Sequence, residues 1–336
     1  MKPAEPIMLV KHETAEELSL DFHPKTFNDY LGQKELKEKL SIYTQAAKQR
    51  NEPLDHLLLF GPPGLGKTTL AQIMAHTMDV GIKICSGPML DRTGDIVALL
   101  TSLEPRDIFF IDEIHRMPTA VEEVLYSAME PFRVDVIMGQ GAGAQSINLP
   151  LNPFTLIGAT TRAGMISGPL HGRFGIVERL NFYEDEDLKN IVLQNARYLG
   201  LSLSESAALI IAHASRGTPR VAKKIVRRIR DVSQVKNEAA TDELVKHALA
   251  FLSIDEDGLT AVDHMFLKIL IERFDGGPAG IETIASIIGE DAETLEDVYE
   301  PYLLRQGFLE KTSRGRQIPA KKVLSFKRKY LGQQYL

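Results

Sequence analysis

A single cysteine, Cys85, stands in 336 residues. One thiol excludes an intramolecular disulfide framework and fits a reducing cytoplasm. Cys85 itself reads as a small buried hydrophobe rather than a nucleophile. No apolar run approaches the roughly 18 residues of a membrane span, so no membrane partner is expected. Residues 1–20 mix charges throughout and lack the apolar centre of a signal peptide. Internal repeats and low-complexity tracts are missing as well. Bases are scarce in one stretch: Asp255 to Glu300 holds thirteen acids and two bases. Leu303 to Leu336 reverses this with nine bases and one acid. The net charge of −6 therefore conceals a basic module on an acidic chain. Such a module suits a polyanionic partner; the simpler alternative is a solvated charged tail. Hydrophobic residues at 44% and charged residues at 25% are ordinary for a globular chain, long enough for two or three domains.

What is present is sharper. Gly61-Pro62-Pro63-Gly64-Leu65-Gly66-Lys67-Thr68 matches the phosphate-loop pattern G-x-x-x-x-G-K-[ST] at every fixed position. It follows the apolar run Leu57–Phe60 and precedes a helical pattern, Thr68–Met78. Small residues let backbone N–H groups turn inward and cradle phosphates at the positive end of a helix. Lys67 adds a point charge, and the Thr68 hydroxyl suits Mg²⁺. A nucleoside triphosphate is the expected ligand.

From His56 to about Phe182 short apolar strands alternate with helices, the mark of a parallel α/β sheet. Strands are predicted at Leu57–Phe60, Ile82–Cys85, Ile108–Ile111 and Phe154–Ala159. Helices are predicted at Thr68–Met78, Gly94–Thr101 and Ala120–Met129. Val134–Leu149 reads as an inserted β-hairpin with a Gly/Ala-rich turn. Glu184–Leu199, Ser204–Ser215, Thr218–Val235 and Thr241–Leu252 have helical spacing, with Ser204 and Thr241 as N-caps. Beyond Gly258, helices at Asp263–Phe274, Ile281–Ile288 and Ala292–Tyr299 precede Leu303–Leu309 and a turn at Arg314-Gly315-Arg316. That order suggests a winged helix-turn-helix.

Ile108–Ile111 runs into Asp112-Glu113. Asp112 can hold Mg²⁺ through its waters, and Glu113 can act as general base on the attacking water. The strand Phe154–Ala159 ends in Thr160-Thr161-Arg162, where a hydroxyl either senses a phosphate or merely caps the strand. Arg173, in Gly172-Arg173-Phe174-Gly175, either reaches a phosphate on a neighbouring subunit or makes a surface salt bridge. Arg220 either reaches the nucleotide or belongs to a basic face with Lys223, Lys224, Arg227 and Arg228.

Together, Gly61–Leu70, Phe110–Arg116, Ile157–Gly164, Arg216–Ala222 and Val298–Leu309 resemble the RuvB family, bacterial Holliday-junction branch-migration motors of the AAA+ class. The likeness runs from about Pro24 to Gly332. It implies a large ATPase domain over 1–183, a helical lid over 184–255 and a winged-helix domain over 256–336. It implies ATP and Mg²⁺, with Gly64, Gly66, Lys67, Thr68 and Thr69 around the phosphates, and Thr68 and Asp112 at the metal. Glu113, Thr161 and Arg173 become base, first sensor and arginine finger, and Arg220 the second sensor. Tyr183, Phe22, His23, Glu130, Pro131 and Phe132 fall where the family contacts nucleotide. Lys311 and Arg316 match wing positions on DNA, with Arg314 a neighbouring candidate. Implied partners are Holliday-junction DNA, five further copies in a homohexamer, RuvA at the Val134–Leu149 hairpin, and the resolvase RuvC in the same complex.

The chain departs from the family pattern at several points. Phe22-His23-Pro24-Lys25 stands for Leu-Arg-Pro-Lys, losing a guanidinium. Glu130-Pro131-Phe132 stands for Glu-Asp-aromatic, losing one backbone donor. His171 replaces an arginine, and Gly172 is expected to loosen the loop that carries Arg173. Lys311 replaces an arginine and gives up its bidentate fork. Two rival classes share the ATPase residues: a remodeller of proteins, and a nucleotide-gated DNA-binding switch. The Ala292–Tyr299 segment has no Arg or Lys to read guanine, which disfavours base readout. DNA affinity is therefore expected to fall steeply with rising salt and to vary little with sequence. Fluorescence-anisotropy titrations across a salt series check this; a flat response would overturn the phosphate-contact reading of the wing.

Overall fold

The computed structural model describes residues 21–138 and 145–332. The chain divides after Tyr183 into two compact units. In the first, five parallel strands lie in the order β2-β3-β6-β1-β7. They are β1 Leu57–Phe60, β2 Ile82–Ser86, β3 Ile108–Asp112, β6 Thr155–Thr160 and β7 Ile176–Arg179. The expected fold class, a parallel α/β sheet followed by helices and a winged helix, is the observed one. Strands β1, β3 and β6 are apolar and almost wholly buried, as central parallel strands must be when helices cover both faces. Leu58, Phe109, Ile111 and Leu156 face one layer, built from α3 (Thr93–Thr101) and α4 (Thr119–Met129). The opposite layer is α2 (Lys67–Met78) with α1 (Lys34–Arg50) behind it.

Two of these elements lay outside the sequence expectation. Helix α1 is rich in Lys, Glu and Gln and buries only Leu36, Leu40, Thr44 and Ala47, so its apolar stripe is thin. Strand β7 has four residues, two of them charged, with Glu178 paired to Lys39 at 3.0 Å. It is an edge strand whose pairing to β1 defines it better than its composition does.

The inserted hairpin is β4 (Arg133–Met138) against β5 (Gln145–Pro150), in register from Arg133↔Pro150 to Met138↔Gln145. Its tip, residues 139–144, lies outside the described residues. Cys85 on β2 is half-buried, and burial pushes its thiol up to about 12, so it carries no thiolate near neutrality.

The second unit opens with α6 (Asp185–Tyr198), α7 (Glu205–Ala214), α8 (Pro219–Lys236) and α9 (Asp242–Phe251). Ser204 and Thr241 do cap α7 and α9, accepting from the N–H of Ala207 and Leu244. There follow α10 (Ala261–Phe274) and α11 (Ile281–Ile288). Next comes α12 (Ala292–Thr294), running through a π-helical turn at Leu295–Tyr299 into α13 (Glu300–Arg305). The helix expected to stop at Tyr299 thus continues past Pro301. The wide turn ends just before the proline and places it in a first turn, where its missing N–H costs nothing. The wing is β8 (Glu310–Thr312) against β9 (Gly315–Gln317). Its turn is Ser313-Arg314, one residue earlier than expected. Gly315 belongs to the strand instead, at φ +134° with the Ala279 carbonyl where a Cβ would stand. The basic tail is largely a helix, α14 (Ala320–Leu331), which packs Phe326 against Phe308 and Tyr330.

His56, just ahead of β1, links α4 to the sheet. Its Nδ1 accepts from the Leu156 N–H at 2.8 Å, so its Nε2–H donates to the Met129 carbonyl at 3.1 Å. Burial holds its pKa below the ordinary value, against the opposing pull of that carbonyl, Glu130 and Asp55. The unfolded chain therefore takes up a proton first, so stability is full above about pH 6.5 and declines as pH falls from there to the lowered value of the folded form. Thermal melts should show Tm falling between about pH 7.5 and pH 5.5, and His56→Gln should flatten that slope. A wild-type slope unchanged in the variant would remove His56 as the cause.

Candidate functional site

The residues with chemistry converge at the carboxyl ends of three adjacent strands, β3, β6 and β1, where parallel sheets present their crevice. The loop after β1 starts at Gly61, whose N–H donates to the Thr160 carbonyl at 3.1 Å. Gly61, Gly64 and Gly66 all have positive φ. A Cβ on Gly61 would stand 2.4 Å from the Leu180 carbonyl oxygen, and one on Gly66 2.8 Å from Tyr30 Oη. The loop is therefore closed from behind and needs glycine there. Gly66 is the N-cap of α2 and offers no capping side chain, so the first turn of α2 is not closed by its own cap, the arrangement a phosphate site uses. Lys67 Nζ donates to the loop carbonyls of Gly61 at 2.7 Å and Pro62 at 3.1 Å, which places the ammonium over the loop it serves.

Two tyrosines buttress that loop. Tyr30 Oη donates to the Leu65 carbonyl at 3.2 Å, and Tyr183 Oη lies 2.9 Å from Tyr30 Oη and 3.2 Å from the same carbonyl. Burial, then the neighbouring Tyr183, push the Tyr30 phenol well above its usual range, so it stays a neutral donor. Gly32, at φ +77°, clears the Tyr183 ring. The structure thus brings Tyr183 to the phosphate loop. Tyr30 was not singled out from sequence; the Tyr30-Leu31-Gly32 pattern was its only signal.

Asp112 ends β3, and its Oδ1 accepts from the Glu113 N–H at 3.0 Å. Glu113 then turns into the left-handed region at φ 48°, which swings its side chain toward the neighbouring strand. Its Oε2 meets Thr161 Oγ1 at 3.2 Å and the Thr161 N–H at 3.4 Å. His115, with a side chain 4% exposed, sits with Nδ1 3.3 Å from Glu113 Oε2 and 2.9 Å from Thr160 Oγ1. Glu113, Thr161, His115 and Thr160 therefore form one polar line across the ends of β3 and β6. His115 lies within Phe110–Arg116, a stretch whose spacing alone gives it no role. Gly158 makes room beneath: a Cβ there would lie 2.9 Å from Ile114 and 3.0 Å from Phe174.

Arg173 follows α5 (Gly168–His171), donates to the Pro169 carbonyl at 2.9 Å and lies 4.6 Å over the Tyr126 ring on α4. Gly172 does not loosen this segment. It has a helical φ of −66°, its N–H donates to Gly168, and the Arg173 N–H donates to Leu170. Glu130, Pro131 and Phe132 are not brought to the loop within this chain. The Phe132 ring lies 6.1 Å from His56 and 5.8 Å from Phe154, and both of those precede their strands. The segment is therefore at the opposite end of the sheet. Phe22 is half-buried and His23 exposed in the irregular stretch before α1. Arg220 is exposed at the start of α8.

On the wing, Arg314 is exposed at the turn and Lys311 is 56% exposed. Arg316 differs from expectation. Strand alternation turns it inward, where it is 7% exposed and bound to Glu300 at 2.9 Å and to Glu296. Burial alone would lower its pKa, but the two carboxylates outweigh that and raise it. Lys311, its cross-strand partner, lies 3.6 Å from both acids. Part of the basic module thus neutralises the acidic stretch of the same unit.

Family models of RuvB match the chain end to end: the Holliday junction DNA helicase RuvB P-loop domain at residues 22–180, the RuvB AAA lid domain at 183–255 and the RuvB C-terminal winged helix domain at 256–327. The chain belongs to the RuvB family. Solved structures agree. A lysine-to-arginine mutant of Thermotoga maritima RuvB is 44% identical, with 94% of this chain and 99% of that chain covered and a TM-score of 0.84. The Thermotoga maritima RuvB Holliday junction branch migration motor is 45% identical, with 91% and 98% covered and a TM-score of 0.82. Membership makes this a P-loop protein of the Holliday-junction branch-migration motors.

The donor set fits ATP and Mg²⁺: uncapped helix N–H groups, one ammonium, a hydroxyl on Thr68 and a carboxylate on Asp112 are what a triphosphate and a hard cation need. Gly66→Ala should drive a methyl group into Tyr30 and weaken ATP binding about tenfold or more, roughly 1.4 kcal/mol, by calorimetric titration. An unchanged affinity would mean that the loop does not hold the phosphates in this geometry.

Proposed function

We propose that this chain is an ATP-hydrolysing motor that drives branch migration of Holliday junctions in recombination and DNA repair. The observation that carries the reading is the line Glu113–Thr161 at the carboxyl edge of β3 and β6, beside a phosphate loop joined to β6 through Gly61. Lys67 and the α2 N-terminus hold the triphosphate, while Thr68 and Asp112 hold Mg²⁺. Mg²⁺ bound by these two residues would supply charge neutralisation to the triphosphate. Glu113 takes the proton of the attacking water, and Thr161 and His115 fix the carboxylate in place. Arg173, moored to α4 by Tyr126, serves as the finger for a neighbour's γ-phosphate in a homohexamer closed head to tail. Arg220 is the second sensor, on a lid domain over 184–255.

The winged-helix domain, 256–336, grips duplex phosphates through Lys311 and Arg314. Arg316 braces the wing from within, and the exposed turn residue Arg314 carries more of the DNA contact than sequence position alone implied. RuvA docks on the Val134–Leu149 hairpin, where Ile147 is 40% exposed, and RuvC joins the same cytoplasmic complex. Among the described residues no helix is long and apolar enough to cross a membrane.

The decisive experiment is strand dissociation of a synthetic four-way junction with ATP and RuvA, using Glu113→Gln as control. Dissociation by the wild type and at least a hundredfold loss in the control, about 2.7 kcal/mol of barrier, is the expected result. ATP hydrolysis without dissociation would transfer the chain to the protein-remodelling or switch classes.

A further inference from the structure

The segment that leads into Arg220 is tied by its side chains to the winged-helix part of the unit, in addition to the backbone bonds of its own helices. Arg216 lies between α7 and α8, four residues before Arg220, in the left-handed region at φ 59°. It is 9% exposed, and its guanidinium makes a bidentate pair with Asp263 of α10: Nη1 to Oδ2 at 3.0 Å and Nη2 to Oδ1 at 3.1 Å. The same guanidinium lies 4.4 Å over the Tyr302 ring of α13. Asp263 is fully buried, and its Oδ2 also accepts from the Thr260 N–H and hydroxyl, closing the capping box of α10. Next in the chain, Gly217 has φ +73°, and a Cβ there would stand 2.2 Å from Arg305 Nη1. Three successive features therefore converge: a buried planar fork, an aromatic face beneath it and a side chain resting on bare backbone.

We infer that Arg216 is a positioning residue that ties the second-sensor arginine, Arg220, to the winged helix, so that DNA engagement at the wing is felt at Arg220 and the reverse. Fork, ring and carboxylate are each planar and buried, which makes the joint stiff. The pair is not needed as a surface ornament. It removes two charges from water at the junction of the segments matched by the lid and winged-helix family models, where apolar residues would have cost less. Energetic coupling across such a joint is reciprocal, so one set of variants tests both directions.

The inference rests on the motor reading proposed above. Its test compares basal ATPase, junction-stimulated ATPase and junctions dissociated per ATP in the full-length wild type, in Asp263→Asn and in Arg305→Ala. Arg305→Ala frees Gly217 without leaving a buried charge, so it remains informative if Asp263→Asn fails to fold; circular dichroism melts score folding. The expected result is basal turnover within about twofold of wild type, DNA stimulation reduced about fivefold or more, and fewer junctions dissociated per ATP. The charge-reversed double variant Arg216→Asp/Asp263→Arg should restore part of the stimulation. Equal proportional losses of basal and stimulated turnover would reduce Arg216 to a structural role and overturn the inference. A variant that keeps full stimulation would do the same. A wild type whose ATPase ignores DNA would instead remove the motor reading, and this coupling with it.

Discussion

One backbone hydrogen bond joins the two halves of the site. The Gly61 N–H to the Thr160 carbonyl, at 3.1 Å, sews the start of the phosphate loop to the end of β6. Phe60, just before it, accepts from the Leu180 N–H at 2.8 Å, so the same loop is stitched to the chain after β7. With β6 between β1 and β3, this stitch sets the loop beside the strand that ends in Thr160-Thr161, and that strand beside Asp112-Glu113. No side chain could supply this register, since a strand's chemistry at its tip is only as exact as the pairing beneath it. Gly61 is required because the Leu180 carbonyl occupies the place of its Cβ.

Charge is handled differently in the two units. In the first, Lys67 is held by carbonyls and Glu113 by a threonine and a histidine. In the second, ionic pairs are structural. Asp263 is matched to Arg216 and Glu300 to Arg316, both pairs buried, while the part-exposed Asp255 lies beside His264 and Lys329. Buried pairs of this kind fix geometry more than they add net stability, because desolvation offsets much of their attraction.

Much of this was legible in the chain. The glycines and Lys67 of the loop, the apolar strands at 57, 108 and 154, and the acids closing the 108 strand follow from local rules, and the structure puts each where those rules place it. Less was legible where neighbours decide. Strand β7 and helix α1 have weak patterns of their own and are completed by β1 and α2. Local spacing gives Tyr30 and His115 no role, yet each becomes a buttress because the fold delivers it to a loop carbonyl or a carboxylate.

Sequence by itself determined the phosphate loop, the fold class, the order of units and the succession of an acidic stretch by a basic one. These depend on residue type at short spacing, which acts locally. Only tertiary structure decided that Phe132 belongs to the end of the sheet away from the loop and that Glu113 reaches Thr161. It alone turned Arg316 inward and tied Arg216 to the winged helix. Those outcomes turn on which face of a strand a side chain takes and which distant segment lies opposite. They are settled by register and packing between residues far apart in the chain, to which local spacing is blind.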